Sequence, residues 1–435
     1  MTRLRRQVGI RVKGGRSIEG EVTVEGAKNS ALKLMAATLM APGVNTLTNV
    51  PNIADVHVMG KVLKYLGARI EVLGEHELKI DTSSVDRWET PYHLVAQMRA
   101  STAVLGPLLS RFGKAIVAMP GGCNIGARKI DMHILGLESL GVNFDVDHGD
   151  IHASIPHGLK GTQVMLDFAS VGATENLMMA SVHVTGTTVI ENAAREPEIV
   201  DLANLLNEMG AKVSGAGSSR IEIEGVEELH PVEHRVVGDR IEAGTFIAMA
   251  GICGGPVTVK GFDPAHLGLV LKKYELMGLD VERGRHECTV SRQAPIRSID
   301  IQTLPFPGFP TDLQAQTMCL LAQGSDSCIV TENVFENRFM FASELQRMGA
   351  DITIEGHHAI VRGVERFSGA EVKSPDLRGG AALVMAGLVA DGYTTVSDVH
   401  HIDRGYECFV EKLQALGAEV RRMEVPDLED GGEVV

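Results

Sequence analysis

A helix-like stretch that ends in Leu-Gly or Met-Gly and runs into an alternating strand occurs six times in this chain. The copies end at Leu66-Gly67, Leu140-Gly141, Met209-Gly210, Met277-Gly278, Met348-Gly349 and Leu416-Gly417. The six glycines lie 68 to 74 residues apart. One or two such pairs are common in α/β proteins, but six at near-constant spacing mark a tandem repeat. Glycine is what a left-handed helix C-cap demands, because a β-carbon would clash there. The segment after each glycine alternates like a strand, as in Arg69-Ile70-Glu71-Val72 and Asp351-Ile352-Thr353-Ile354.

Each copy also has an upstream half. A helix of small residues comes first, at 30–41, 100–110, 174–184, 243–253, 313–322 and 380–390, and a β-rich run such as Gly186-Thr187-Thr188-Val189-Ile190 follows. Every unit therefore reads as β-α-β-α-β-β. Copies one to three and four to six are expected to form two similar lobes, the second beginning near Asp239-Arg240. With 435 residues the chain is too long for one ordinary core. Its 48 glycines and 4% aromatics suit tight turns and short repeated elements.

The net charge of −15 argues against a general nucleic-acid binder, although a few clustered arginines can still bind an anion. No run of about 18 apolar residues is present, so no membrane partner is expected. Met1-Thr2-Arg3-Leu4-Arg5-Arg6 is basic but has no apolar stretch behind it, which does not fit a signal peptide. Cysteines 123, 253, 288, 319, 328 and 408 are far apart and form no CxxC pair. That pattern predicts a reduced, cytoplasmic protein without disulfides or zinc. His400-His401 has no spaced third ligand, so no metal is expected, nor any other cofactor or obligatory protein partner.

Against this repeated background, unusual residues gather at two places. One is the start of the first helix of a unit: Lys28-Asn29, Arg99, Thr311-Asp312 and Asp376-Leu377-Arg378. The other is the loop before the second helix: 120–131, 191–198, 332–338 and 400–404. Helix N-termini carry unpaired N–H groups and about half a positive charge, which suits anions. Lysine or arginine there opposes the dipole, so Lys28, Arg99 and Arg378 either extend into solvent or serve a phosphate- or carboxylate-rich ligand. Asp312 reads equally as a helix cap or as a catalytic base. Cys123, in the glycine-rich Pro120-Gly121-Gly122-Cys123-Asn124-Ile125-Gly126-Ala127-Arg128, fits an exposed thiol of lowered pKa. Cys253 and Cys319, on apolar helices, fit buried inert thiols.

Several of these motifs, in order, resemble one family. They are Gly26-Ala27-Lys28-Asn29-Ser30-Ala31-Leu32, Met98-Arg99-Ala100-Ser101, the Cys123 loop, Glu191-Asn192-Ala193-Ala194-Arg195-Glu196-Pro197-Glu198, Pro310-Thr311-Asp312, Phe335-Glu336-Asn337-Arg338-Phe339, Asp376-Leu377-Arg378 and His401-Ile402-Asp403-Arg404-Gly405-Tyr406-Glu407. The match, from about Ile10 to about Arg422, is to the enolpyruvyl transferases that make UDP-N-acetylglucosamine enolpyruvate for peptidoglycan. The resemblance implies two inside-out α/β barrels, each of three β-α-β-α-β-β repeats. It places residues 28–237 in one lobe, and 1–27 with 238–435 in the other. It implies transfer of the enolpyruvyl group of phosphoenolpyruvate to the sugar 3′-hydroxyl by addition and elimination, with lobes that close over the sugar. By position, Cys123 resembles the family's proton donor and adduct-forming cysteine, and Asp312 the base. Lys28, Arg128, Arg404 and Arg378 resemble the phosphoenolpyruvate-binding cations. Asn29, Arg99, Arg128, Lys129, Ile130, Asp131, Met132 and Val334 resemble contacts to the nucleotide sugar, with Lys28, Asp312, Arg378 and Arg404 also at the substrates.

One departure is Asp167-Phe168-Ala169-Ser170, where some members carry a lysine that contacts the nucleotide. Three rival readings share parts of the pattern. The sister enzyme acting on shikimate 3-phosphate shares fold and donor, but not the Cys123 loop. A catalytically inactive paralogue is at odds with the retained Lys28, Cys123, Arg128, Asp312, Arg378 and Arg404. An RNA 3′-phosphate cyclase uses related repeats but fits poorly with so acidic a chain.

Overall fold

A helix that is apolar on every side must be buried on every side. The first helix of each repeat meets that demand in the computed structural model, which describes residues 6–95, 99–119 and 130–426. Helix Arg240–Cys253 is buried from Arg240 to Ile252, and helix Leu377–Val389 from Arg378 to Leu388. Helices Lys28–Ala37, Leu105–Phe112, Val171–Ala180 and Gln314–Leu321 complete the set. Most start a little earlier than the residue pattern predicts. The reason is capping: Ser170, Asp239 and Asp376 stand ahead of the small-residue runs, and their side chains accept the first free helix N–H groups.

The helices approach closely because small residues line them. A β-carbon on Gly106 would sit 2.6 Å from the carbonyl of Asn176, and one on Gly244 2.5 Å from Leu313 Cδ1. The second helix of each repeat is amphipathic instead. In Ala54–Leu66, Val56, Met59, Val62, Leu63 and Leu66 turn inward, while His57, Lys61 and Lys64 face water. All six repeat glycines adopt the left-handed conformation, with φ from +92° at Gly417 to +110° at Gly67.

Six four-stranded sheets follow one plan. The opening strand pairs parallel with the second, the fourth returns antiparallel beside the second, and the third takes the edge. In one repeat these are Ile301–Gln302, Ser327–Thr331, Asp351–Glu355 and His358–Arg362, with Cys328 opposite Val361. One face of each sheet lies on the core: in Arg220–Glu224, Ile221 and Ile223 are buried while Arg220, Glu222 and Glu224 are exposed.

The chain divides into two compact units, one from Glu25 to Gly238, the other from Asp239 onward with the residues up to Val24. Each has a separate hydrophobic core. Each also borrows strands from a distant part of the chain. Strand Gly20–Thr23 opens the fourth repeat beside Val257–Lys260, and Arg6–Lys13 closes the sixth between Tyr393–Ser397 and Glu419–Pro426. In the other unit, Glu233–Arg235 opens the first repeat by pairing with Val44–Thr48.

That opening strand is pinned by a polar chain that runs from the buried His234 and Asp201 out to the exposed Glu208. His234, 7% exposed, bonds Asp201 at 2.9 Å through Nε2 and Glu208 at 2.7 Å through Nδ1. Asp201 also accepts the Ser30 hydroxyl at 2.5 Å and the Val237 N–H at 3.1 Å. Burial opposes the imidazolium, but hydrogen bonds to Asp201 and Glu208 outweigh it, and the His234 pKa is raised above its usual 6.5. A raised folded pKa stabilises fully below the unfolded value and loses that contribution as pH rises through the folded one. Thermal unfolding of the wild type is therefore expected to fall in midpoint as pH rises above 6.5. His234→Gln should cost about 1–3 kcal/mol and flatten that pH dependence; parallel profiles for the two proteins would contradict this.

Candidate active site

Two groups of polar side chains stand apart from the apolar cores, one in each unit. In the C-terminal unit the first begins where Pro310 leads into a 3₁₀ turn, Thr311–Leu313, and then into helix Gln314–Leu321. Asp312 sits in that first turn, where a carboxylate suits the helix dipole. It is not a cap. Its Oδ1 accepts a bond from Arg338 Nη2 at 2.7 Å, and its Oδ2 accepts one from Arg378 Nη2 at 3.3 Å. The carboxylate side chain is 24% exposed, whereas those of Arg338 and Arg378 are 4% and 3% exposed. Asp312 is thus held from behind by two buried cations and remains reachable.

Arg378 is the second residue of its helix, an unfavourable place for a cation unless the terminus is answered. Asp376 answers it, accepting the N–H of Arg378 at 2.8 Å and of Gly379 at 3.1 Å. The guanidinium lies 5.2 Å from the centre of the Tyr406 ring. Tyr406 is fixed in turn, its hydroxyl 3.0 Å from Thr245 Oγ1 and 3.3 Å from Gln316 Nε2. Burial pushes the Tyr406 pKa up, so the phenol is neutral and its contact with Arg378 is of cation–π type. Burial works against the Arg378 charge as well, yet its surroundings raise its pKa. With Tyr406 neutral, the negative charges responsible are Asp312 and Asp239. The Nε and Nη1 groups of Arg378 are buried without a hydrogen-bond partner among the described residues.

Arg404 ends the 3₁₀ turn Val399–Arg404, which packs on the Arg378 helix, and is half-buried. Arg422 holds Asp403 of the same turn with two bonds, at 3.0 and 2.5 Å. The His401 pKa is lowered, by burial and then by His400 and Arg404. Val334 is half-buried, in the loop after strand Ser327–Thr331.

In the N-terminal unit, Lys28 is the first residue of its helix and has no side-chain cap before it. Its Nζ meets Asp55 Oδ2 at 2.8 Å, with side chains 11% and 3% exposed. Asp55 lies in the first turn of the repeat's second helix. Extension into solvent, one of the two readings open for Lys28 and Arg378, is therefore wrong for both: each is buried against an acid. Asn29 is exposed. Ile130 precedes helix Asp131–Ser139, Asp131 accepts the Met132 N–H at 2.9 Å, and Met132 packs partly buried on the core. Arg99 opens the 3₁₀ turn Arg99–Val104, but its side chain lies outside the described residues. So do Cys123, Arg128 and Lys129 entirely. Ser170, in the departing stretch, caps helix Val171–Ala180. Burial pushes the thiol of Cys253 to about 12, Cys288 to about 11 and Cys328 to about 12, and raises Cys319 too. Cys408 is exposed.

The structure thus joins Asp312 directly to Arg378 and adds residues given no role by the sequence pattern: Arg338, Asp55 and Tyr406. Arg338 had a signal, its place in the family-like motif Phe335-Glu336-Asn337-Arg338-Phe339. Tyr406 likewise lay in the motif His401-Ile402-Asp403-Arg404-Gly405-Tyr406-Glu407, whereas Asp55 had no signal beyond an acid in the first turn of a helix.

The EPSP synthase (3-phosphoshikimate 1-carboxyvinyltransferase) family matches residues 12–413. Among solved structures, the enolpyruvyl transferase NikO from Streptomyces tendae superposes with a TM-score of 0.87 at 26% identity, over 97% of this chain and 100% of that one. EPSP synthase from Acinetobacter baumannii shares the fold, with a TM-score of 0.75 at 18% identity over 96% and 100% of the two chains. The architecture is that of the enolpyruvyl transferases. Curated relatives named UDP-N-acetylglucosamine 1-carboxyvinyltransferase are 52% identical in Corynebacterium jeikeium, over 95% of this chain and 98% of the relative, and 48% in Geotalea uraniireducens, over 95% and 99%. The chain belongs to the EPSP synthase family and, within it, to the UDP-N-acetylglucosamine 1-carboxyvinyltransferases.

Two buried guanidiniums that share one anion must be strongly coupled through it. Asp312→Ala is expected to destabilise the protein by about 3–5 kcal/mol, because both cations lose their counter-charge. In a double-mutant cycle, Arg338→Met and Asp312→Asn should show a coupling of at least about 1 kcal/mol in denaturant unfolding. Additive effects would contradict the shared clamp.

Proposed function

We propose that this chain transfers the enolpyruvyl group of phosphoenolpyruvate to the 3′-hydroxyl of UDP-N-acetylglucosamine, releasing phosphate, as a cytoplasmic step of peptidoglycan synthesis. The observation that carries the chemistry is Asp312, a reachable carboxylate fixed by Arg338 and Arg378. The acceptor follows from the names of relatives about half identical over nearly the whole chain.

The reaction needs a base at the hydroxyl, an acid at the donor's methylene carbon and cations around a multiply charged anion. The 3′-oxygen attacks C2 of phosphoenolpyruvate while Asp312 takes its proton. C3 receives a proton from Cys123 and becomes a methyl group. The tetrahedral ketal then expels phosphate as C3 gives up a proton, restoring the double bond. Lys28, Arg128, Arg378 and Arg404 hold the carboxylate and phosphate of the donor. Lys28 suits this work because Asp55 orients its ammonium. Asn29, Arg99, Arg128, Lys129, Ile130, Asp131, Met132 and Val334 receive the nucleotide sugar. No helix among the described residues is long and apolar enough to cross a membrane.

Phosphate release is expected only when phosphoenolpyruvate and UDP-N-acetylglucosamine are supplied together. Release with shikimate 3-phosphate in place of the nucleotide sugar would establish the sister activity instead, and no release with either acceptor would favour an inactive paralogue. The variant Asp312→Asn should lower kcat by about 10²–10⁴-fold. The epoxide antibiotic fosfomycin should add to Cys123, read by intact-mass and peptide mass spectrometry, and Cys123→Asp should turn over without being labelled. Labelling at Cys408 would count against the assignment.

A further inference from the structure

Glu332 is nearly closed off from water, at 3% exposure, yet it lies neither on the Asp312 clamp nor among the residues that resemble substrate contacts. A carboxylate removed from water costs several kcal/mol unless its lone pairs are answered. Three groups answer this one. Oε1 accepts the backbone N–H of Val334 at 2.8 Å and of Phe335 at 3.0 Å, and Oε2 accepts the Thr311 hydroxyl at 2.9 Å.

These partners come from two separate parts of the repeat. Val334 and Phe335 form the turn that leaves strand Ser327–Thr331, and Thr311 is the residue before Asp312 in the 3₁₀ turn that starts a central helix. The neighbouring Asn333 extends the same tie. Its N–H bonds Thr303 Oγ1 at 3.0 Å, and its amide nitrogen bonds the Thr303 carbonyl at 3.0 Å. The start of the turn is thus fastened on both sides, and Glu332 links it to the helix start that bears the base, while Arg338, a few residues further along the same loop, bonds the base itself. A carboxylate beside that first turn also suits the helix dipole.

We infer that Glu332 is a positioning residue: it sets the distance between the Val334 turn and Asp312, and hence between the bound nucleotide sugar and the base that takes its proton. The inference rests on the proposed function, which places the sugar at Val334 and the base at Asp312. Its two arms have different duties. The backbone arm shapes the sugar-binding turn, and the Thr311 arm fixes the base. Glutamine can keep both, since its carbonyl oxygen accepts the two N–H groups and its amide donates to the threonine oxygen. Alanine keeps neither.

Steady-state kinetics on purified full-length protein separate the arms. Glu332→Ala should raise KM for UDP-N-acetylglucosamine by about tenfold and lower kcat, with KM for phosphoenolpyruvate changed far less, because the turn loses the charged partner of two of its N–H groups. Glu332→Gln should restore both constants to within a few-fold of wild type. Thr311→Val should lower kcat while leaving KM for the nucleotide sugar near the wild-type value. Equal rises in both KM values, or a Glu332→Gln protein as impaired as Glu332→Ala, would overturn the inference, as would wild-type kinetics in all three variants. If Glu332→Ala does not fold, the Glu332→Gln and Thr311→Val pair decides alone: a kcat loss confined to Thr311→Val supports the inference, and any other pattern overturns it. Wild-type protein that turns over neither substrate pair would instead overturn the functional reading beneath it.

Discussion

A helix buried on all its faces can carry polar groups along its body only where they are paired, so reachable chemistry falls at its ends, and that constraint organises both units of this chain. The bodies of the central helices are rich in Ala, Gly, Met, Leu and Val, close enough together that a single β-carbon at Gly244 would collide with Leu313. Charge is concentrated in the first turns, where Lys28, Asp239, Asp312, Asp376 and Arg378 are found, and where it lies within the helix bodies it is paired, as Lys33 is with Glu175. Those turns also bring free N–H groups and a positive dipole end. A repeated scaffold built this way supplies several anion-receptive ends without disturbing its packing.

Three aspartates at equivalent helix starts show how the same residue type is put to different work. Asp239 and Asp376 accept the first N–H groups of their helices and stay structural. Asp312 leaves that task undone. Its oxygens go instead to Arg338 and Arg378, which are far away in sequence and almost wholly buried. Burying cations is expensive, and here the cost is offset by the shared carboxylate, the Tyr406 ring and the cap at Asp376. What the arrangement secures is a carboxylate of fixed direction with an exposed side, which a proton acceptor requires.

The architecture was largely legible because its signals are local. A glycine at each C-cap, alternation in each strand and small residues in each first helix suffice to count six repeats, and all six glycines do turn left-handed. The strand exchange that opens and closes each unit left no local trace, since Glu233–Arg235 pairs with Val44–Thr48 from the far end of its unit. The site was legible as a set of residues but not as a set of partners. Whether Lys28 and Arg378 meet solvent or an acid depends on Asp55 and Asp312, and no spacing rule connects them. Glu332 was hidden for the same reason, because its carboxylate is satisfied by the backbone of its own turn and by a threonine about twenty residues earlier. The roles of Cys123, Arg128, Lys129 and the Arg99 side chain rest on resemblance alone.

The claim that joins fold, site and family is that the donor carbon is protonated and then deprotonated while the sugar is attached. Running the reaction in D₂O with unlabelled phosphoenolpyruvate tests it most directly. If C3 passes through a methyl group that rotates freely before phosphate leaves, the vinyl group of the product carries deuterium when examined by NMR or mass spectrometry. Uptake should also require the nucleotide sugar. A product formed at full rate with no deuterium in its vinyl group would mean that C3 never gained a proton, and the account of addition followed by elimination would be wrong.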